Sequence, residues 1–126
     1  MAFQRMKTFF IAVISILFSV AAQFSLKTGM SSAGVRQSLA LPFSMRTIFS
    51  VITNWNVLGG FLLYGLGAIV WLAVLSKWDV SKAYPLVGLG FALTMIIGFM
   101  TGEQVTLARV VGVCMICAGI VLVSHN

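Results

Sequence analysis

Four polar residues recur along a mainly apolar stretch near the start of the chain: Ser15, Ser19, Gln23 and Lys27, each four residues from the last. On a helix, such a series makes one slowly drifting stripe. In a lipid environment a polar stripe is unfavourable against hydrocarbon and predicts an interior or water-filled setting. Two readings stay open: hydrogen bonds between helices, which Ser and Gln make routinely, or the lining of a polar path, best suited to Gln23 and Lys27. A second constellation is Ser81-Lys82-Ala83-Tyr84-Pro85. A helix starting there would put Pro85 where its missing N–H costs little. It would also put Lys82 where the helix dipole favours an anion such as a phosphate. In the other reading Lys82 snorkels to the membrane surface and Tyr84 belongs to an aromatic belt. Gly60, Tyr64, Gly67 and Trp71 form a seam spaced four, three and four. It suits a slot where aromatics stack on a sugar, or close helix packing. Arg109 is a further cation able to meet a phosphate, and Ala108, Gly112 and Gly119 form a small-residue seam suited to a tight helix pair.

Other chemistry has little material. The two acids, Asp79 and Glu103, fall between apolar runs, so no carboxylate is expected within a span to carry a proton. One His and two Cys give no basis for a metal site, and none is expected. Cys114 and Cys117 sit in an apolar run, where small packing residues are expected rather than a redox pair. No catalytic triad, phosphate loop or dinucleotide fingerprint occurs, so neither an enzyme nor a cofactor is expected.

The elements that must position these residues are membrane helices. Only 8% of the 126 residues are charged, against about 25% in an ordinary soluble domain. Mean hydropathy is +1.09. Too few polar side chains exist to cover a soluble surface. At about 20 residues per crossing, the chain predicts an all-α integral membrane protein, one domain over 1–126, with four transmembrane helices. The expected spans are Thr8 to Leu26, Trp55 to Leu75, Ser81 to Met100 and Leu107 to Ser124. Gly98 and Gly102 read as a small-residue contact at the end of the third. The long connection around Arg36, Pro42 and Arg46 predicts an amphipathic helix at the interface. Trp55 and Trp78 bracket the second span, as belt residues do.

The net charge of +6 comes from scattered Lys and Arg, which excludes a nucleic-acid stripe and fits lipid phosphates. Four spans put Arg5, Lys7, Lys77 and Lys82 on one side and Lys27, Arg36, Arg46 and Arg109 on the other. The positive-inside rule gives no direction for that balance. Three readings follow: dual insertion, a partner that sets orientation, or a chain too short for the rule to decide.

Three stretches resemble the four-helix branch of the drug/metabolite transporter superfamily, with its small multidrug resistance and EamA-like proteins. They are LFSVAAQFSLK at 17–27, VSKAYPL at 80–86, and GEQVTLARVVGVCMICAGI at 102–120. The multidrug members carry a glutamate where this chain has Ser19, and a tryptophan where it has Val87. The serine–glutamine first helix, the Ala-Tyr-Pro-Leu start and the long first connection are more similar to the aminoarabinose-phosphoundecaprenol flippase subunits. That resemblance implies a multi-pass inner-membrane protein moving a polyprenyl-phosphate-linked sugar for lipid A or envelope glycan modification. It implies a homodimer, or a heterodimer with a similar small subunit, giving eight helices. Under it, Lys27, Lys82 or Arg109 would hold the phosphate, with Ser19, Gln23 and Tyr84 on the sugar and Tyr64 and Trp71 lining the slot. A small cation exporter and a non-transporting accessory subunit are the other readings.

Overall fold

A computed structural model describes residues 2–125, and they fold as helices joined by short turns. The first helix, α1, runs Ala2–Met30, longer at both ends than its apolar stretch. Nothing before Gly29 breaks the pattern, so Arg5 and Lys7 continue it at one end and Lys27 at the other. At 1.5 Å per residue it is about 44 Å long, which exceeds the roughly 30 Å hydrocarbon layer and carries its charged ends past the interface.

The connection that follows holds two short helices, α2 (Ala33–Ala40) and α3 (Met45–Ile52), rather than one. Pro42 lies between them, where a residue without an N–H ends helical pairing. The Ser38 and Ser50 hydroxyls bond across the pair at 2.8 Å. Val35 and Thr47 are buried beneath it, while Leu41, Phe43, Met45 and Phe49 are exposed. Asn54 begins the next helix, α4 (Trp55–Leu75), its Oδ1 accepting from the Asn56 and Val57 N–H groups at 3.0 and 3.2 Å. Its Nδ2 also donates to the Ser32 hydroxyl, tying the two ends of the connection together.

The third crossing departs from a single regular helix. It is built from α5 (Val80–Ala83), a 3₁₀ segment Tyr84–Gly88 and α6 (Leu89–Met100). Pro85 cannot donate and crowds the preceding turn, so the backbone tightens there before α6 resumes. The last helix, α7, spans Leu107–His125. Each of the four crossings, with Val80–Met100 taken together, is long and apolar enough to span a bilayer.

Packing is led by α1 against α4. A Cβ on Gly60 would stand 2.7 Å from Leu26 Cδ2 and 3.2 Å from the Ala22 carbonyl oxygen. One on Gly67 would stand 3.0 Å from Phe18 Cβ. These two glycines let the backbones approach, and the Ser15 hydroxyl donates to the Gly67 carbonyl at 2.6 Å. The core beside this seam is small: Ala12, Ile16, Val20, Val74, Ala83, Leu86 and Ile120. Helix α7 meets the rest mainly through Ile116 and Ile120, which fill the space left by Gly88. Its other faces are exposed. Among the described residues, none lies within 4 Å of where a Cβ on Gly112 or Gly119 would be, so neither glycine is closely packed within this chain.

Candidate functional site

A cavity of about 830 Å³ opens between α1, α4 and the third crossing. Ligand pockets commonly run from about 300 to 1,000 Å³. Along α1 it follows Ser15, Ser19, Gln23 and Lys27, a rise of about 18 Å, or over half the hydrocarbon thickness. The polar series on α1 therefore borders one space. Tyr64, Gly67 and Trp71 supply the α4 wall, and Tyr84, Gly90, Phe91 and Thr94 the opposite one.

The seam on α4 does two things at once. Gly60 and Gly67 pack against α1, while Tyr64 and Trp71 border the cavity. Ser15 is engaged with the α4 backbone, as hydrogen bonding between helices requires. Gln23 Nε2 donates to the Tyr64 hydroxyl and joins the two walls. The pair keeps the Gln23 carbonyl oxygen as acceptor, and one Nε2 hydrogen and the Tyr64 O–H as donors. That inventory suits a hydroxylated ligand. Trp71, Tyr84 and Phe91 make the deeper end apolar and flat.

Two of the cations with an expected binding role lie elsewhere. The Lys82 ammonium sits 4.7 Å from the Trp78 ring centroid, a cation–π contact at the opposite end of the bundle from Lys27. It lies in the first turn of the third crossing, on α5, which passes into the 3₁₀ segment after four residues. The Arg109 guanidinium donates to the Gln104 carbonyl at 2.8 Å, pinning the turn before α7. Neither borders the cavity, whereas Lys27 does. Cys114 and Cys117 are free thiols on α7.

Glu103 and Thr94 line the cavity without having been singled out by their spacing. Thr94 lies in an apolar run, its hydroxyl bonded to the Phe91 carbonyl at 2.9 Å. Glu103 lies outside the third crossing, as its place after Met100 requires, yet its carboxylate folds back against Gly98. Gly98 and Gly102 thus do not form the helix–helix contact their spacing suggests. Gly102 is the left-handed residue of a helix cap, at φ 98°. A second, apolar slot of about 360 Å³ adjoins the cavity. It shares Tyr84, Val87 and Phe91 with the cavity and reaches Ile116, Gly119 and Ile120 on α7.

No protein-family model and no solved structure matches the chain. Curated proteins do. A subunit from Erwinia tasmaniensis is 32% identical over 114 residues, covering 89% of this chain and 92% of that protein. It is described as probable 4-amino-4-deoxy-L-arabinose-phosphoundecaprenol flippase subunit ArnE. The subunit so described from Pseudomonas fluorescens is 36% identical, over 59% of this chain and 65% of its own length. A protein from Proteus mirabilis described as the probable ArnF subunit of the same flippase is 29% identical over 96% of this chain and 95% of its own. A match of that length and identity, on a chain with four membrane-spanning helices and a polar cavity, places this protein in the family of 4-amino-4-deoxy-L-arabinose-phosphoundecaprenol flippase subunits.

Proposed function

We propose that this chain is one subunit of a transporter that turns a polyprenyl-phosphate-linked amino sugar across the bacterial inner membrane, for lipid A or envelope glycan modification. The supporting observation is the two-part cavity, polar from Ser19 to Lys27 and sharing Tyr84, Val87 and Phe91 with an apolar slot. A lipid-linked sugar has that same division. Lys27 holds the phosphate at the mouth. Gln23, Ser19 and Tyr64 bond the sugar hydroxyls, and Trp71 and Tyr84 cover its apolar face. The prenyl chain descends beside Phe91 and stays in the bilayer. Carrying the phosphate through low dielectric without compensation would cost at least several kcal/mol, so a fixed cation at the entrance is what the reaction needs. No bond is made or broken, and the role is transport rather than catalysis.

Four helices leave the cavity open on one side, and a second subunit closes it. The α7 seam of Ala108, Gly112 and Gly119 is the proposed contact, with a second copy or a similar small subunit. Glu103 gives the cation-exporter reading one specific observation, a carboxylate in the cavity. Against it, Lys27 shares that cavity and opposes a purely cationic ligand.

The test is headgroup accessibility of a short-chain prenyl phosphosugar in proteoliposomes, at matched protein levels. Lys27→Ala is expected to slow translocation about tenfold or more, the scale of one lost charge-assisted hydrogen bond. Lys27→Arg retains more of the rate, and Lys82→Ala, away from the cavity, retains most of it. Gln23→Ala relaxes selection among sugars more than it weakens phosphate binding. Full rate with Lys27→Ala refutes the assignment. Uptake of a lipophilic cation in place of the phosphosugar favours the exporter.

A further inference from the structure

Glu103 reaches the cavity because of how α6 ends. The Glu103 N–H bonds back to the Gly98 carbonyl at 2.9 Å, and the Gly102 N–H to the Phe99 carbonyl at 3.2 Å. With Gly102 left-handed, this is the paired-bond cap that sets the residue after the glycine over the third-last helical residue. Most such caps put two apolar side chains together there. Here the pair is a carboxylate and a glycine. A Cβ on Gly98 would stand 3.2 Å from Glu103 Cδ and Oε2. The empty place at Gly98 is what receives the carboxylate, which stays exposed and open to a ligand.

The described residues lining the cavity thus carry one formal cation, Lys27, and one formal anion, Glu103. A headgroup with only negative charge gains at Lys27 and is repelled at Glu103. A headgroup with only positive charge meets the reverse. A headgroup carrying both charges satisfies both, with no net charge brought into low dielectric.

We infer that Glu103 is the residue that reads the amino group of the proposed headgroup, accepting from its ammonium while Lys27 holds the phosphodiester. The inference rests on the lipid-phosphate reading above and adds the side chain that reads the amino group. Glu103 is then a specificity residue, and a neutral sugar on the same phosphate leaves its carboxylate unpaired.

The experiment uses the full chain, with its partner subunit where one co-purifies, in dodecyl maltoside micelles, which carry neither phosphate nor amine. The probes are a farnesyl phosphodiester of a 4-aminopentose and the same molecule N-acetylated. Binding is read from tryptophan fluorescence, since Trp71 borders the cavity. The unmodified protein is expected to bind the free amine about tenfold or more tightly than the acetylated form, as loss of one charged hydrogen bond implies. Glu103→Gln keeps the shape of the side chain and is expected to bind both forms equally, at the acetylated form's affinity or better. Gly98→Leu, which displaces the carboxylate while leaving it in the chain, gives the same loss of preference. Equal binding of both probes by the unmodified protein overturns the inference while leaving the lipid-phosphate reading intact. So does an equal weakening of both probes by Glu103→Gln, the behaviour of a carboxylate that only braces Lys27. Binding of neither probe overturns the lipid-phosphate reading and the inference with it.

Discussion

A single methyl group added at Gly67 tests the packing that shapes the cavity. Its Cβ would lie 3.0 Å from Phe18 Cβ and 3.2 Å from the Ser15 carbonyl oxygen. Carbon atoms prefer separations of about 3.5 Å or more, so α1 and α4 must part by about half an ångström. Neither obstructing atom is the end of a flexible side chain. The Ser15 hydroxyl bond to the Gly67 carbonyl lies on the same seam and lengthens with it. Overpacking of this kind costs about 1–3 kcal/mol, and an interhelical hydrogen bond in a membrane protein averages about 0.6 kcal/mol. Alanine returns up to about 1 kcal/mol of helix propensity. Gly65 supplies the control, on the same helix but with nothing within 4 Å of a Cβ. Gly65→Ala collects the propensity gain alone. The propensity term cancels between the two variants, and Gly67→Ala is expected to be less stable than Gly65→Ala by about 2–3.5 kcal/mol. The assay is reversible unfolding by denaturing detergent in mixed micelles, at two protein concentrations, so that an effect on association is separated from one within the chain. A gap below about 0.5 kcal/mol, the spread of ordinary surface substitutions, would refute the close approach of α1 and α4 at this point.

Two further outcomes are expected. Gly112→Leu leaves insertion and single-chain stability nearly unchanged, because no described residue lies within 4 Å of a Cβ there, whereas Gly119→Leu also intrudes on the apolar slot that Gly119 borders. They weaken dimerisation in detergent by on the order of 1 kcal/mol per contact, read by cross-linking from α7; undiminished cross-linking would place that seam against lipid. C-terminal reporter fusions are expected to show mixed orientation, given four basic residues on each side, and one or two relocated charges to fix it. A single orientation that persists when Arg5 and Lys7 are neutralised would reject dual insertion and leave a directed subunit.

Hydropathy alone made the four crossings legible, and their centres agree with α1, α4, the third crossing and α7. The ends were less so. Lys27 looks like a place where a membrane helix stops, yet α1 continues to Met30, because a long helix emerging into water tolerates a charge. The third crossing reads as one helix by composition, while Pro85 divides it by geometry. The long connection announces its amphipathic character but not its division, which depends on Pro42 and on the Ser38–Ser50 bond.

The site was legible where one helix carries it and obscure where two backbones decide. Steps of four residues advance about 400° around a helix, so each member of the α1 series turns about 40° past the last. Over three steps that amounts to about 120°. Ser15 accordingly lies in the seam with its hydroxyl on Gly67, while Lys27, a third of a turn further round, stands at the mouth. Spacing shows this drift but not which neighbour each position faces. Glu103 lies beyond spacing altogether. Its distance from α1 in sequence says nothing of Lys27, and its place after an apolar run reads as an ordinary loop. What brings it in is the left-handed turn at Gly102 together with the missing side chain at Gly98. Those two glycines look like a packing motif until the backbone bonds are traced. A glycine at the end of an apolar run, another four residues later, and an acid directly after it together signal a helix cap that returns a carboxylate to the helix just left. In a membrane protein the surface it returns to faces either lipid or a cavity, and lipid is the costlier choice for a charge.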